Sequence, residues 1–405
     1  MTRKVLILSA SIGTGHIKAA EAIQKTLRKT DPFASIRHED ALDFANPAFA
    51  RIYQQTYNDL VNNAPELMGL IIGGSEKILT PTQHGVAFER WNSLPLVKAV
   101  LSDAPDLVIC THPLPADMIS WLICKKRLWA HHAIVVTDFE LNSLWLCQHY
   151  SRYFVAMEEA KQYLMRIGYD QSNIEVSGIP VDPIFRERKD KQAMRAKYGL
   201  DAQSRVLLLS AGGLGMGPVL KIVESLRETK NTQLLALCGR NTELAEELEK
   251  VKKTEQLSDY FLKIYGYSNV VDEHMTCADL IVGKPGGLTS SEALVKGLVF
   301  IIVDPIPGQE EANADHLLEE GAAIRCNNLE ILPYKINALL DDSERLKKMQ
   351  DNARKFSFPF AAEHIANSAL GKDGFETWVS RVHPNNHDCQ PHPVWLTEKR
   401  SRRLS

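Results

Sequence analysis

The chain lacks several features that would each have pointed to a different kind of protein. No apolar run reaches the ~18–20 residues that a bilayer-spanning helix needs, so any membrane contact is expected to be peripheral. The seven cysteines, Cys110, Cys124, Cys147, Cys238, Cys277, Cys326 and Cys389, contain no C-x-x-C pair. Such scatter suits buried free thiols in a reducing cytoplasm better than disulfides or a zinc site. A strong excess of one charge is missing too. The formal net charge is −3, which gives no electrostatic case for nucleic acid as a partner. Met1-Thr2-Arg3-Lys4 leads straight into a strand-like run with no signal-peptide pattern. Neither a D-x-D pair at a strand end nor a His/Cys cluster in a periodic region is found, so no metal site is expected. The tract 383–393 holds three histidines and Cys389, but its prolines favour a disordered tail over a metal site.

What is present describes a globular α/β protein. At 405 residues the chain exceeds one ordinary core, and 44% hydrophobic with 24% charged residues fits two folded domains. Short, continuously apolar runs alternate with helical patterns, as in a parallel sheet covered on both faces. The runs are Val5 to Ser9, Asp106 to Cys110, Ile134 to Asp138, Phe154 to Ala156 and Ile174 to Gly178, and residues 36–43 look like a further strand running into a loop. A second series contains Arg205 to Ser210, Leu234 to Leu237, Ile264 to Tyr267, Ala278 to Val282, Val299 to Val303 and Ala322 to Cys326.

Chemistry-bearing residues gather where these runs end. Ser11-Ile12-Gly13-Thr14-Gly15-His16 turns into a helical pattern that lacks the third glycine of the dinucleotide fingerprint. His16 at this turn is either a local cap or a proton acceptor, its imidazole kept neutral by the helix start. Thr111-His112-Pro113 and Thr137-Asp138 close two further strands. In the second half, Gly212, Gly213 and Gly215 follow Ser210 in a loop too rich in glycine to cover a core. Most informative is the stretch 283–313. Gly286 and Gly287 turn ahead of Thr289, Ser290 and a helix expected from Glu292, and a helix start of this kind seats an anion. Pro307-Gly308-Gln309-Glu310-Glu311-Ala312-Asn313 then leaves the next strand on the same edge.

Taken in order, these motifs resemble those of the monogalactosyldiacylglycerol synthases and the processive diacylglycerol glucosyltransferases, lipid glycosyltransferases with the GT-B fold. The similarity runs over residues 3–370. It rests on Ser11 to Ile23, Thr111-His112-Pro113, Gly178-Ile179-Pro180, Gly212 to Pro218, Cys238-Gly239-Arg240-Asn241 and the stretch 283–313. The resemblance implies two doubly wound Rossmann-like domains facing across a cleft. Their expected bounds are 1–185 for the acceptor and membrane side and 204–371 for the UDP-sugar donor side. Residues 186–203 would be a linker and 372–405 a disordered tail.

Further expectations follow from the same resemblance. A sugar would pass from a UDP-sugar, a substrate and not a cofactor, to diacylglycerol or a related membrane lipid with inversion. His16 would be the base, and Asp138 its alternative or its orienting group. Gly13, Gly15, His112 and Trp145 would lie on the acceptor side. Glu292 would hold the ribose hydroxyls, Gln309 and Glu310 the sugar hydroxyls, and Tyr267 the region of the base. Gly286, Gly287, Thr289 and Ser290 would face the diphosphate, and Arg240 would counter its charge or support the fold. The protein would be cytoplasmic, resting on the anionic inner face of the cell membrane. Leu67 to Gly74, within 44–98, would make the membrane contact or else be core.

One departure concerns the acceptor: Asn142 and Cys147 stand where the glucosyltransferases resemble one another in having histidines. Transfer to a polyprenyl-diphosphate acceptor, or a nucleotide-sugar sensor without catalysis, therefore remain alternatives. The Pro-Gly-Gln-Glu loop speaks against a sugar-nucleotide epimerase of the same fold. Among glucose, galactose and N-acetylglucosamine the residues make no choice.

Overall fold

The computed structural model describes residues 2–45 and 94–371, apart from 214, 216, 217, 228, 230 and 259. The chain forms two compact units. One takes in Met1–Ile12, His16–Asp182 and Phe360–Ser405; the other takes in Gly13–Gly15 and Pro183–Pro359. Most of the segment expected at the membrane, residues 46–93, and the tail 372–405 lie outside the described residues.

In the first unit, β1 (Lys4–Ser9), β2 (Ser35–Asp40), β3 (Leu107–Cys110), β4 (His131–Val135), β5 (Arg152–Val155) and β6 (Ile174–Val176) build a parallel sheet. Its order is β2-β1-β3-β4-β5-β6. Both faces of the sheet are covered, so β3 and the Val5–Leu8 part of β1 are apolar throughout, while the edge strands β2 and β6 carry charged residues. Leu6, Leu8, Val108, Cys110 and Ile134 enter one core, while Val5, Ile7, Leu107, Ile109 and Val135 enter the other. This two-residue alternation sorts each strand between two helical layers.

The second unit repeats the plan with β7 (Arg205–Ser210), β8 (Thr232–Leu237), β9 (Leu262–Tyr265), β10 (Leu280–Gly283), β11 (Val299–Ile302) and β12 (Ala323–Arg325). All pairings are parallel, in the order β12-β11-β10-β7-β8-β9. In each sheet the strand order reverses once, between β1 and β3 and between β7 and β10. Beyond the carboxyl ends of strands at such a reversal, the crossovers diverge and leave room for a ligand. The expected doubly wound α/β class is the observed one.

The unit boundaries differ from those read in the sequence. The expected linker 186–203 contains the helix Lys191–Lys197, which is packed into the second unit. Arg195, 4% exposed, donates to the carbonyls of Cys277, Ala202 and Ser204 and pairs with Asp279 at 2.8 Å. Arg195 is thus turned inward and satisfied, while Arg186, Glu187, Arg188, Asp190 and Lys197 remain exposed. The end of the second unit shifts as well. The helix Ala361–Leu370, expected in the donor domain, lays Ile365, Ala366, Ala369 and Leu370 into the first unit's core. Arg3 donates to the Leu370 carbonyl at 2.9 Å, and Ser368 donates to Glu175 at 2.7 Å.

Cysteine use departs in one place. Cys110, Cys147, Cys238, Cys277 and Cys326 are buried free thiols, as the scatter suggested. Cys124, ending the helix Pro113–Cys124 ahead of the exposed Lys125-Lys126-Arg127, is disulfide-bonded.

Because Ile365 is fully enclosed, Ile365→Ala is expected to cost about 2–4 kcal/mol. The loss should lower the thermal transition followed by tryptophan fluorescence, since Trp121 and Trp145 belong to the first unit's core. An unshifted fluorescence transition would place the helix in the other unit.

Candidate active site

The first unit brings three loops together at the carboxyl edge of its sheet. Leu8 pairs with Cys110, and Cys110 pairs with Ile134, so β1, β3 and β4 finish level. His16 follows β1 in the first turn of the helix Gly15–Thr30, Thr111 follows β3, and Thr137 and Asp138 follow β4. Gly13 turns the chain ahead of that helix with a left-handed φ of 81°, which a side chain would oppose.

Thr111 grips His16 at both ends. Its hydroxyl donates to the His16 carbonyl at 2.9 Å, and its own carbonyl accepts from His16 Nδ1 at 2.9 Å. A carbonyl oxygen accepts and never donates, so the proton resides on Nδ1 and Nε2 keeps its lone pair. The Thr137 hydroxyl lies 2.7 Å from the same Nδ1. Burial lowers the His16 pKa below its ordinary value, with the Asp138 carboxylate and the Thr111 carbonyl opposing the shift. The result is a neutral imidazole of fixed tautomer with a basic Nε2.

Around it, the Trp145 indole donates to Asp138 at 3.4 Å, and both residues are buried. The His112 ring meets His16 edge to face at 4.5 Å. His112 Nδ1 accepts from the Leu114 amide at 3.1 Å and caps the helix Pro113–Cys124. Burial, and then His16, hold the His112 pKa well below its ordinary value. His112 is therefore neutral too, with its proton on Nε2. His16, His112, Asp138 and Trp145, each singled out from sequence, form one cluster.

The two departures from the histidine pattern serve the fold. Asn142 Oδ1 accepts from the Leu144 amide at 3.1 Å and caps the short turn Ser143–Trp145. Cys147 is 2% exposed within the core.

In the second unit, the loops after β7, β8 and β10 are shaped by missing side chains. A Cβ on Gly283 would come 2.4 Å from the Ser210 carbonyl, and one on Gly239 would come 2.4 Å from the Gly212 carbonyl. Gly215 lies against Asn241 in the same way, and Asn241 Nδ2 donates to the Gly215 carbonyl at 2.9 Å. Arg240 N–H donates to the Gly213 carbonyl at 3.0 Å, while its guanidinium sits 5.1 Å from the Tyr267 ring centre. The backbone of Arg240 thus ties its loop to the one after β7, while its side chain lies over Tyr267.

The helix expected from Glu292 begins earlier and spans Gly287–Lys296, with Gly286 at its N-cap. Gly287 and Thr289 therefore lie in its first turn, and Glu292 is half-buried farther along. This earlier start puts Ser290 on the inner face, fully enclosed, where its hydroxyl meets no hydrogen-bond partner among the described residues. Ser290 is thus shut away and does not offer its hydroxyl at the surface, contrary to the expected diphosphate contact.

Gln309 opens the helix Gln309–Glu319. Glu310 Oε2 accepts from the Ile306 amide at 2.8 Å, and Oε1 lies 3.8 Å from the position a Cβ on Gly286 would take. Glu310 therefore closes its own loop and borders the Gly286 turn. Among the described residues no group of His, Cys, Asp and Glu is arranged to hold a metal ion.

Sequence reading named Thr111 and Thr137 at their strand ends but gave neither a role; their bonds to His16 are seen only in the structure.

Two doubly wound parallel sheets, with glycine-shaped loops at the reversal of the second, give the chain the GT-B class of fold. Residues 16–181 match the family model described as monogalactosyldiacylglycerol (MGDG) synthase, and residues 213–356 match glycosyl transferases group 1. The processive diacylglycerol beta-glucosyltransferase of Bacillus licheniformis is 30% identical over 370 residues, covering 91% of this chain and 92% of that protein. Its counterpart in Bacillus subtilis is 30% identical over 372 residues, covering 91% and 93%. Among solved structures, Acinetobacter baumannii MurG superposes with a TM-score of 0.56 at 16% identity, over 91% of this chain and 99% of that one. Anabaena HepE in complex with UDP gives 0.56 at 15%, over 91% and 99%. These two likenesses concern the fold. The chain belongs to the family of the monogalactosyldiacylglycerol synthases and processive diacylglycerol glucosyltransferases, and it is a hexosyltransferase.

If His16 must be neutral to act, kcat/KM should stay level through neutral pH. It should fall only as pH drops through the lowered His16 pKa, below about 6.5. Thr137→Val, which keeps shape and removes the hydroxyl, should cut kcat about three- to tenfold, and Thr137→Ser should restore it. A valine variant as fast as wild type would detach Thr137 from His16.

Proposed function

We propose that this protein transfers a glucosyl group from UDP-glucose to the hydroxyl of diacylglycerol, or of the glycolipid so formed, with inversion at the anomeric carbon. The observation that carries the reading is the neutral His16, its tautomer set by the Thr111 carbonyl, at the carboxyl edge of β1, β3 and β4. Glucose and a diacylglycerol acceptor are supported by the names of the near-full-length Bacillus relatives.

In this mechanism His16 Nε2 removes the proton of the acceptor hydroxyl as its oxygen bonds to the anomeric carbon. The carbon–oxygen bond to the diphosphate breaks, and its electron pair leaves with UDP. Backbone N–H groups in the first turn of the helix Gly287–Lys296 face that developing charge. With such donors in place, transfer proceeds without a divalent metal. Glu292 supplies acceptor oxygens for the ribose hydroxyls. Asp138 stabilises the imidazolium once His16 has taken the proton, consistent with its electrostatic influence on that ring.

The acceptor implies work at a bilayer, since each CH₂ drawn into water costs about 0.8 kcal/mol. Among the described residues no helix is long and apolar enough to cross a membrane. A peripheral association is the proposed arrangement.

The test incubates the full-length protein with diacylglycerol vesicles and labelled UDP-glucose in excess chelator. A β-linked glucolipid is expected. His16→Ala should lower turnover by about two to four decades while UDP affinity stays the same. Glu292→Ala should weaken UDP by about 1–3 kcal/mol. Tight UDP-glucose binding with no transfer to any lipid would make the protein a nucleotide-sugar sensor instead.

A further inference from the structure

His112 caps the helix Pro113–Cys124 with one nitrogen of its ring, and the other nitrogen has no such task. Nδ1 accepts from the Leu114 amide at 3.1 Å, which leaves the ring proton on Nε2. The residue is only 8% exposed, yet among the described residues Nε2–H meets no acceptor. A donor so enclosed is costly to leave unpaired. Capping alone does not call for an imidazole either, since serine and threonine cap a helix well.

The neighbour of this ring is His16, with centres 4.5 Å apart and planes nearly perpendicular at 82°. The two imidazoles differ in what they offer. His16 gives its Nδ1 proton to the Thr111 carbonyl, so Nε2 presents a lone pair. His112 gives its Nδ1 lone pair to a backbone amide, so Nε2 presents a proton. Main-chain bonds at the level ends of β1 and β3 fix both orientations. An acceptor and a donor held side by side match two oxygens on neighbouring carbons, one carrying a hydrogen and one offering lone pairs.

We infer that His112 recognises the sugar acceptor by donating its Nε2–H to an oxygen on the carbon next to the hydroxyl that His16 deprotonates. The inference rests on the reading of His16 as base and diacylglycerol as acceptor, and it states which feature of that acceptor is read. A 1,2-diacylglycerol has the feature, a hydroxyl at C3 beside an ester at C2. A glycolipid has it too, because each sugar hydroxyl has an oxygen on a neighbouring carbon. A plain long-chain alcohol does not.

Charge favours a neutral oxygen at this position. Burial, and then His16, keep His112 uncharged, whereas a phosphate oxygen is best served by a cationic donor. The carboxylate of the cluster, Asp138, would also repel an anionic acceptor. Holding the neighbouring oxygen stops rotation about the carbon–carbon bond and keeps the attacked hydroxyl turned to His16.

Steady-state transfer by the full-length protein in mixed micelles tests this. The acceptors are 1,2-dioctanoylglycerol and an analogue in which an alkyl chain of equal length replaces the C2 ester. Wild type should favour the diester in kcat/KM by about three- to tenfold, the worth of one neutral hydrogen bond. His112→Asn keeps an oxygen to cap the Leu114 amide but lacks the Nε2 donor. It should lose about the same three- to tenfold on the diester and use the two acceptors within about twofold of each other. Its UDP affinity and melting temperature should match those of wild type. Equal use of both acceptors by wild type overturns the inference without any variant. A His112→Asn protein that keeps the preference also overturns it, leaving His112 a helix cap. One that slows both acceptors alike overturns it as well, making His112 a brace for His16. If wild type binds UDP-glucose but glycosylates neither lipid, the acceptor reading itself fails and takes the inference with it.

Discussion

A carbonyl oxygen has no proton to give, and the chemistry of the first unit depends on that fact. The Thr111 carbonyl faces His16 Nδ1, so the ring carries its proton there and leaves Nε2 available. A carboxylate in the same place would orient the ring equally well, but it would raise the pKa and favour the imidazolium. With a neutral partner, burial sets the direction of the shift, and the ring stays uncharged near neutral pH. The Thr111 carbonyl orients the ring and raises its pKa only in part, while burial lowers it by more. The arrangement requires β1 and β3 to end level, which their parallel register ensures. A slip of one residue would invert the strand faces and move the Thr111 carbonyl away from the ring.

The second unit solves a different problem with different means. Where the first places side chains, the second removes them. Gly215, Gly239 and Gly283 each occupy a position where a methyl group would strike a neighbouring loop or strand. The loops after β7, β8 and β10 therefore close on one another through backbone contacts. Anion recognition gains from this, because backbone N–H groups on such loops cost little further entropy when a ligand arrives. A glycine-rich loop left loose would have to be ordered at each binding event.

Much of this was legible in the sequence, and the rest was hidden for identifiable reasons. Buried parallel strands announce themselves as short apolar runs, and β3, β10 and β11 were found that way. His16, Asp138 and Glu292 stood out because their side chains are chemically conspicuous at strand or helix ends. Thr111 and Thr137 did not, since one acts through its carbonyl and both hydroxyls look like ordinary turn polarity. The helix start at Gly287 was obscured by glycine and three hydroxyl residues, all weak helix formers, which tertiary packing overrides. Arg195 misled in the opposite direction: a charged stretch suggests solvent unless its partners, here three carbonyls and Asp279, are known. The helix Ala361–Leu370 fell within the bounds expected for the donor side, although its apolar face belongs to the other sheet.

The two positions that depart from the family's histidines show what the segment after β4 conserves physically. At Cys147 the fold uses the backbone. The Cys147 amide donates to the Tyr153 hydroxyl at 2.8 Å, and its carbonyl accepts from the Tyr169 hydroxyl at 3.1 Å. Tyr153 in turn donates to the Trp145 carbonyl at 2.8 Å. These bonds hold the segment whatever side chain Cys147 carries, so long as it fits a small buried space. Asn142 contributes a cap that aspartate, serine or threonine would also supply. The residues whose side chains touch the histidine cluster, Thr137, Asp138 and Trp145, keep the types found in the family's motif. Replacement has fallen where main-chain bonds or simple capping carry the structure, and it has spared the side chains that face His16. The altered motif therefore leaves the contacts around His16 intact.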